Sequence, residues 1–357
     1  MWRILSLVFA LICLLISDLL ADTGPDPARV MIVHSYERDH ICGAPQADGV
    51  VAALREAGWV IGENLQILPY YMDTKKTNTT PEAIREQARI ALELVDEFAP
   101  DIVVVLDDNA IREVMLPLVD RDDISVVFSG MNGQPETYNE ITPFMNDKKH
   151  PGSNVTGVYE KLWASKSLVV MNAALENINK SSRVVGITDY SPTGNAITRQ
   201  FELEVANENS PITWQLRRVK DFTEYSQLIK ELNEDDDVIA IYPAALSLKT
   251  ADGTTYTANE IFAWTTANSK KPEMALNYYF AKIGLFGGAA VDFGAMGHLA
   301  GEKAAQILGG KKAGELSIED ARDYAIVFNT SRAKELGITI PDALLTAADH
   351  VYKKEPE

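Results

Sequence analysis

The side chains best equipped for chemistry stand where the most apolar runs of the chain stop. "DIVVVLDDNA" closes on Asp107, Asp108 and Asn109, and "ISVVFSGMNG" on Ser129. "VMIVHSYERDH" closes on His34, Ser35 and Tyr36, with His40 six residues past His34. Asp108 or Asn109 is expected to cap the helix that follows, which leaves the other pointing into the crevice at the strand ends. A single carboxylate there suits an ammonium or hydroxyl group. A serine with a histidine and an acid at hand could attack an acyl group. The spacing speaks for binding instead. Ser129 lies outside any GxSxG turn, and the next histidine is His150. His34 and His40 lack HxxxH spacing, no EF-hand pattern appears, and Cys42 is the single cysteine after Cys13. No GxGxxG or GxxxxGK[ST] follows a buried strand. Neither a cofactor nor a metal is expected.

These residues need a scaffold that lines up strand ends. "VMIV", "DIVVVLDD" and "ISVVFSG" are short continuous apolar runs, the mark of strands buried on both faces. Between them lie helical patterns. In "APQADGVVAALREAGW", Val50, Leu54 and Ala57 share one face. In "TPEAIREQARIALELVDEFAP", Thr80 is the N-cap and Pro81 the first helical residue. This alternation predicts a doubly wound parallel sheet with right-handed crossovers. The stretch "GQPETYNEITPFMNDKKHPGSN" has no period and reads as a long loop. A second series follows, with strands in "VTGVYEK", "SRVVGITDY", "ITWQLRRV", "DVIAIYPAA" and "PEMALNYY". One of its helices has Asp221 as N-cap and Glu224 at the capping-box position. A Gly-rich turn, a helix, the strand "ARDYAIVFN" and two short helices parted at Gly337–Pro341 complete the chain.

Two such series in 357 residues make two lobes. Their strands end in small polar or aromatic residues, with Tyr36, Tyr159, Tyr190, Tyr242 and Tyr278 among them. Ligands of open α/β sheets sit outside the carboxyl ends of the strands, so a cleft shared by the lobes is the expected site. The net charge of −18 argues against nucleic acid and anionic lipid as partners. At the N-terminus, Arg3, an apolar run from Ile4 to Ile16 and a short segment ending at Ala21 have the layout of a cleavable signal peptide, residues 1–21. The run is too short to span a bilayer. The expected mature protein is exported, periplasmic, and free of stable membrane insertion.

The chain resembles the ABC-transporter periplasmic substrate-binding proteins, in the branch that includes tryptophan and other aromatic amino-acid binders. The residues that carry the likeness are "VMIVHSY", "PDIVVVLDDNAIREV", "ISVVFSGMNG", "HPGSNVTGVYE" and the tail from "GHLAGEKAAQILGGKKAGELSIEDA" to "VFNTSRAKELGITIPDALLTAAD". "GSNVTGV" and "LGITIPDALLTAAD" are the most specific of them. The resemblance implies a type I periplasmic-binding fold, two doubly wound parallel-sheet lobes joined by three crossovers. Lobe 1 would hold residues 28–154 and 288–323, and lobe 2 residues 155–287 and 324–352. Carried onto this sequence, ligand contacts would come from Ser35, Tyr36, Asp107, Asp108, Asn109, Ser129, Gly130, Met131, Tyr159, Thr188, Asp189, Tyr242, Asn277 and Tyr278. The aspartate pair replaces the small or threonine residues common there in the family. The function implied is capture of a small organic solute, an amino acid or an aromatic or carboxylate-bearing compound, by a monomer that hands it to an ABC permease. A sensor that reports to a membrane signalling protein is the alternative, and a cleft hydrolase using Ser129 a third.

Overall fold

The computed structural model describes residues 26–146, 149–176, 178–206, 212–250 and 252–353. The expected signal peptide lies outside them. The chain begins as an α/β series: β1 (Ala28–His34), α1 (Gly43–Glu56), β2 (Leu65–Tyr71), α2 (Pro81–Phe98), β3 (Ile102–Leu106), α3 (Asp107–Ala110), β4 (Ser125–Met131), α4 (Pro135–Asn139) and β5 (Val155–Tyr159). The second series is α5 (Ala164–Ala174), β6 (Arg183–Asp189), α6 (Pro192–Ala206), β7 (Thr213–Val219), α7 (Phe222–Asn233) and β8 (Val238–Pro243). It continues through β9 (Ser247–Lys249), β10 (Thr255–Thr257), α8 (Ala258–Asn268), α9 (Tyr278–Lys282) and β11 (Gly287–Val291). Then come α10 (Phe293–Leu308), β12 (Glu319–Asp320), β13 (Tyr324–Asn329), α11 (Thr330–Glu335), α12 (Asp342–Ala347) and β14 (His350–Tyr352).

The first sheet has the order β12-β5-β4-β3-β1-β2, all parallel. Its central strands are buried on both faces, as their continuous apolar runs require. Val30 and Ile32 enter one core and Met31 and Val33 the other, and β3 divides the same way. In the second lobe, β7-β6-β8 and β11-β13-β14 are joined through residues 273–277 by isolated parallel bridges, Ile241 to Glu273 on one side and Met274 to Gly287 and Asn277 to Val291 on the other. β11 and β13 run antiparallel, unlike the expected all-parallel arrangement. The reason is threading. β11 leaves this lobe at its carboxyl end, whereas β13 enters it from the other lobe at its amino end.

Strand pairing puts β5 in the first sheet and β11 in the second. The chain therefore crosses after Tyr159 and after Val291, a few residues beyond the sequence-based boundaries of 154/155 and 287/288. The third crossing lies between β12 and β13. Trp163 packs on Tyr324 with ring centroids 5.0 Å apart and so joins the first crossing to the third.

α10 returns to the first lobe and packs on α1 at close range. A Cβ on Gly297 would lie 2.0 Å from Gln46 O, and one on Gly49 2.2 Å from Gly294 O. Helix ends follow local chemistry: Thr80 Oγ1 accepts from Ala83 N at 3.2 Å and Asp221 Oδ1 from Glu224 N at 2.8 Å. Three features depart from the sequence reading. α4 lies inside the stretch read as a loop, β9 and β10 form a hairpin, and the strand expected in "PEMALNYY" is reduced to isolated bridges that end at Asn277, whose side chain caps α9 by accepting from Phe280 N at 3.1 Å. Among the described residues, no helix is long and apolar enough to cross a membrane.

Candidate ligand-binding site

The order of the first sheet reverses between β1 and β3, where a doubly wound sheet opens a crevice at its carboxyl edge. Ser35 and Asp107 follow these two strands. Ser35 is fully buried. Its hydroxyl donates to Leu106 O at 2.7 Å and accepts from Ala110 N at 2.8 Å. It thus supplies from β1 the cap that the sequence assigned to Asp108 or Asn109. Neither of those residues caps α3. Asp108 instead accepts from Asn132 N (3.1 Å), Asn132 Nδ2 (2.9 Å) and the Tyr138 hydroxyl (2.7 Å), which pins the loop after β4. Asn109 donates to Thr74 Oγ1 at 2.8 Å and accepts from Arg112.

Asp107 is the acid left over. It adopts a left-handed backbone (φ +67°) and is only 2% exposed. Ser129 Oγ donates to Gln46 Oε1 at 2.7 Å, and Gln46 Nε2 donates to Asp107 Oδ1 at 3.1 Å. This relay fixes the amide and aims the carboxylate. Asp107 Oδ2 is buried without a partner. Gly130, at φ +75°, leaves room for the pair: a Cβ there would lie 2.8 Å from Asp107 Oδ1 and 2.7 Å from Gln46 Oε1. Burial raises the Asp107 carboxyl from 3.8 to about 7, opposed by the charge of Lys75 and the Gln46 hydrogen bond, with Asp108 adding to the rise.

Around Asp107 stand Tyr36 and Glu160. Tyr36 is nearly buried, with Lys75 Nζ 3.9 Å from its ring centroid and His40 at 4.2 Å. Burial pushes its phenol up, and the charges of Asp107 and Asp108 push further. Glu160 follows β5 at the first crossing and is 3% exposed. Burial drives its carboxyl well above the usual range, with Asp107 and Asp108 adding and Lys75 opposing. From the second lobe comes Tyr242, fully buried against Phe201 (4.9 Å) and Trp214 (6.2 Å), its hydroxyl without a partner. Burial raises that phenol, and Glu204 and Glu160 raise it further, so the end of β8 faces the first crossing.

The other expected contacts carry bonds of their own. Met131 sits in the core, and its carbonyl accepts from Glu160 N at 2.8 Å. The Tyr159 hydroxyl accepts from Lys149 Nζ at 3.0 Å. Thr188 shares a hydrogen bond with Thr198 at 2.7 Å, and Asp189 accepts from Ser191 N at 2.7 Å. Tyr278 is half-buried beside His350 and Phe293, with ring centroids 5.0 and 6.4 Å away. The structure thus gathers Tyr36, Asp107, Ser129 and Gly130, while Tyr242 is packed into the core of the second lobe. Gln46, Lys75 and Glu160 join them and were not foreseen. Glu160 alone had a signal, its place in the strand-end group "VYEK".

Residues 39–352 match the family model described as ABC transporter substrate binding protein. The chain belongs to that family. Among solved structures, this substrate-binding protein is similar to an ABC domain from Streptococcus pneumoniae in complex with L-Trp, with TM-score 0.65, 20% identity, 91% of this chain and 100% of that chain covered. A conserved domain protein from Vibrio cholerae gives TM-score 0.65 and 21% identity over 91% of this chain and 100% of its own. The ligand-free, open form of a substrate-binding protein with adhesive properties from Clostridium difficile gives 0.64 and 18% over 92% and 100%. No curated protein matches by sequence. The fold is that of the type I periplasmic binding proteins.

Proposed function

We propose that this substrate-binding protein captures a small organic solute between its lobes, outside the cytoplasm, and delivers it as a monomer to an ABC permease. One observation carries the reading: Asp107 Oδ2 is buried and unpartnered at the crevice where the strand order reverses. A buried carboxylate oxygen without a donor is costly, and an amino or hydroxyl group of a solute supplies the donor. Tyr36 adds an aromatic ring close by. An amino acid or an aromatic, carboxylate-bearing compound suits such a site, and the pneumococcal relative was solved with L-Trp. Closure about the three crossings would bury the solute. The Ser129 hydroxyl is engaged by Gln46, not by a histidine, which favours binding over hydrolysis.

Mass spectrometry of what co-purifies, released by mild denaturation, identifies the solute. Re-addition at 100 times Kd is expected to stabilise the protein by about 2.7 kcal/mol. If nothing co-purifies, and no amino acid or aromatic acid shifts the melting temperature at millimolar concentration, solute capture is wrong.

A further inference from the structure

We infer that the first turn of α1 holds a niche for a primary ammonium group of the solute, floored by Gly43 and walled by His34 and Asp107. The inference rests on the solute-capture reading and names the class of solute. Two atoms define the niche. His34 Nδ1 and Asp107 Oδ2 are both buried without a hydrogen-bond partner, and each residue is 2% exposed. They come from the ends of different strands and face one point: a Cβ on Gly43 would lie 3.5 Å from His34 Nδ1 and 3.8 Å from Asp107 Oδ2. Those are ordinary contact distances, so Gly43 leaves a small space with two polar walls.

Both walls are held in place. The His34 ring stacks on Tyr71 at 4.3 Å, and Gln46 secures the other oxygen of Asp107. Burial, with Arg38 nearby, lowers His34 to about 4, so the ring is neutral at pH 7. With its proton on Nε2, the ring presents Nδ1 as an acceptor. Two acceptors facing one point call for a group with at least two hydrogens to give. A primary ammonium has three, and its charge would add to that of Lys75 beside the buried Asp107 and Glu160 carboxyls. A hydroxyl gives one hydrogen and a carboxylate none.

The test uses the whole protein, emptied by unfolding and refolding, in titration calorimetry. The probes are L-tryptophan, tryptamine and indole-3-propionate, then L-tyrosine, tyramine and 4-hydroxyphenylpropionate, with the co-purified solute added. The amine-bearing members are expected to bind at least about 100-fold tighter than the amine-free ones. Gly43→Ala fills the niche at contact distance and is expected to keep the melting temperature while weakening amine binding at least about tenfold. Asp107→Asn is expected to remove the preference for amines. Unchanged amine affinity in Gly43→Ala means that the niche holds only water, and the inference falls. Amine-free probes binding as tightly as amines, or a co-purified solute without a primary amine, also overturn it and leave solute capture standing. Binding of no probe and no co-purified solute overturns both.

Discussion

Gln46 Nε2 donates to Asp107 Oδ1 across 3.1 Å, with both side chains buried and Ser129 holding the far side of the amide. The carboxylate is therefore aimed by a helix that is not its own. Gln46→Ala leaves Ser129 without an acceptor and frees Asp107 to turn. The expected result is a loss of about 1–2 kcal/mol in stability together with roughly tenfold weaker solute binding, one factor of ten per 1.4 kcal/mol. Calorimetry and urea titration read the two effects separately. A stability loss with intact affinity would show that Gln46 does not orient the site.

Asp107 gives a pH signature. Unfolded, its carboxyl takes a proton near 3.8, and folded near 7. Between these values the folded state binds the extra proton, so this contribution is fully present below about 4 and is lost as the pH rises through 7. Asp107→Asn mimics the protonated form. It is expected to be more stable than the native protein at pH 8, by on the order of 2–4 kcal/mol, with the gap closing towards pH 4. Urea midpoints at both ends measure it, and a gap independent of pH would contradict the assignment.

The histidines act in the opposite sense. Burial holds His34 at about 4 and His40 at about 3, with Arg38 beside the first and Lys75 beside the second. Below 6.5 the unfolded chain binds protons that these buried rings refuse. Their contribution is present above 6.5 and is lost as the pH falls through 4 and then 3. His40 Nδ1 already accepts from Cys42 N at 3.2 Å, a bond that protonation breaks. His40→Asn is expected to shallow the acid limb of a stability–pH curve. An unchanged limb would mean that other groups control it.

Arg332 and Glu273 form a buried two-point pair, Nη2 to Oε1 at 2.5 Å and Nε to Oε2 at 3.0 Å, which fastens the C-terminal helices to the second sheet. Arg332→Ala strands the carboxylate and is expected to cost about 3–5 kcal/mol. Replacing both partners, with Arg332→Met and Glu273→Leu, should recover most of that loss in thermal unfolding. A double variant as weak as the single one would place the cost in lost packing instead.

Gly297→Val forces α10 away from α1 at Gln46 O. We expect about 1–3 kcal/mol of destabilisation and weaker solute binding, because Gln46 moves with its helix. Normal binding in a destabilised variant would separate helix packing from the site.

The fold was legible wherever one local pattern decided the outcome. The runs ending in "VMIV" and "IVVVL" have to be central strands, and Thr80 and Asp221 have to cap helices. The site was less legible because its members are set by register. Ser35 reads as a strand-end hydroxyl free for ligand. The pairing of His34 with Leu106 carries it instead into the turn of α3. Asp108 reads as a candidate helix cap until Asn132 and Tyr138 arrive from a stretch with no periodic signal. Gln46 sits on the first turn of a helix and meets Asp107 only because β3 lies beside β1. No spacing in one strand of sequence encodes that meeting.

The route of the chain sets the timetable of its folding. α1 is covered by α10, and β5 gains its outer neighbour β12, only after all of the intervening lobe has been made. Contacts of such long sequence separation form slowly, so the first lobe stays unfinished until synthesis nears its end. The last pieces to be made are therefore the ones that lock the first lobe shut.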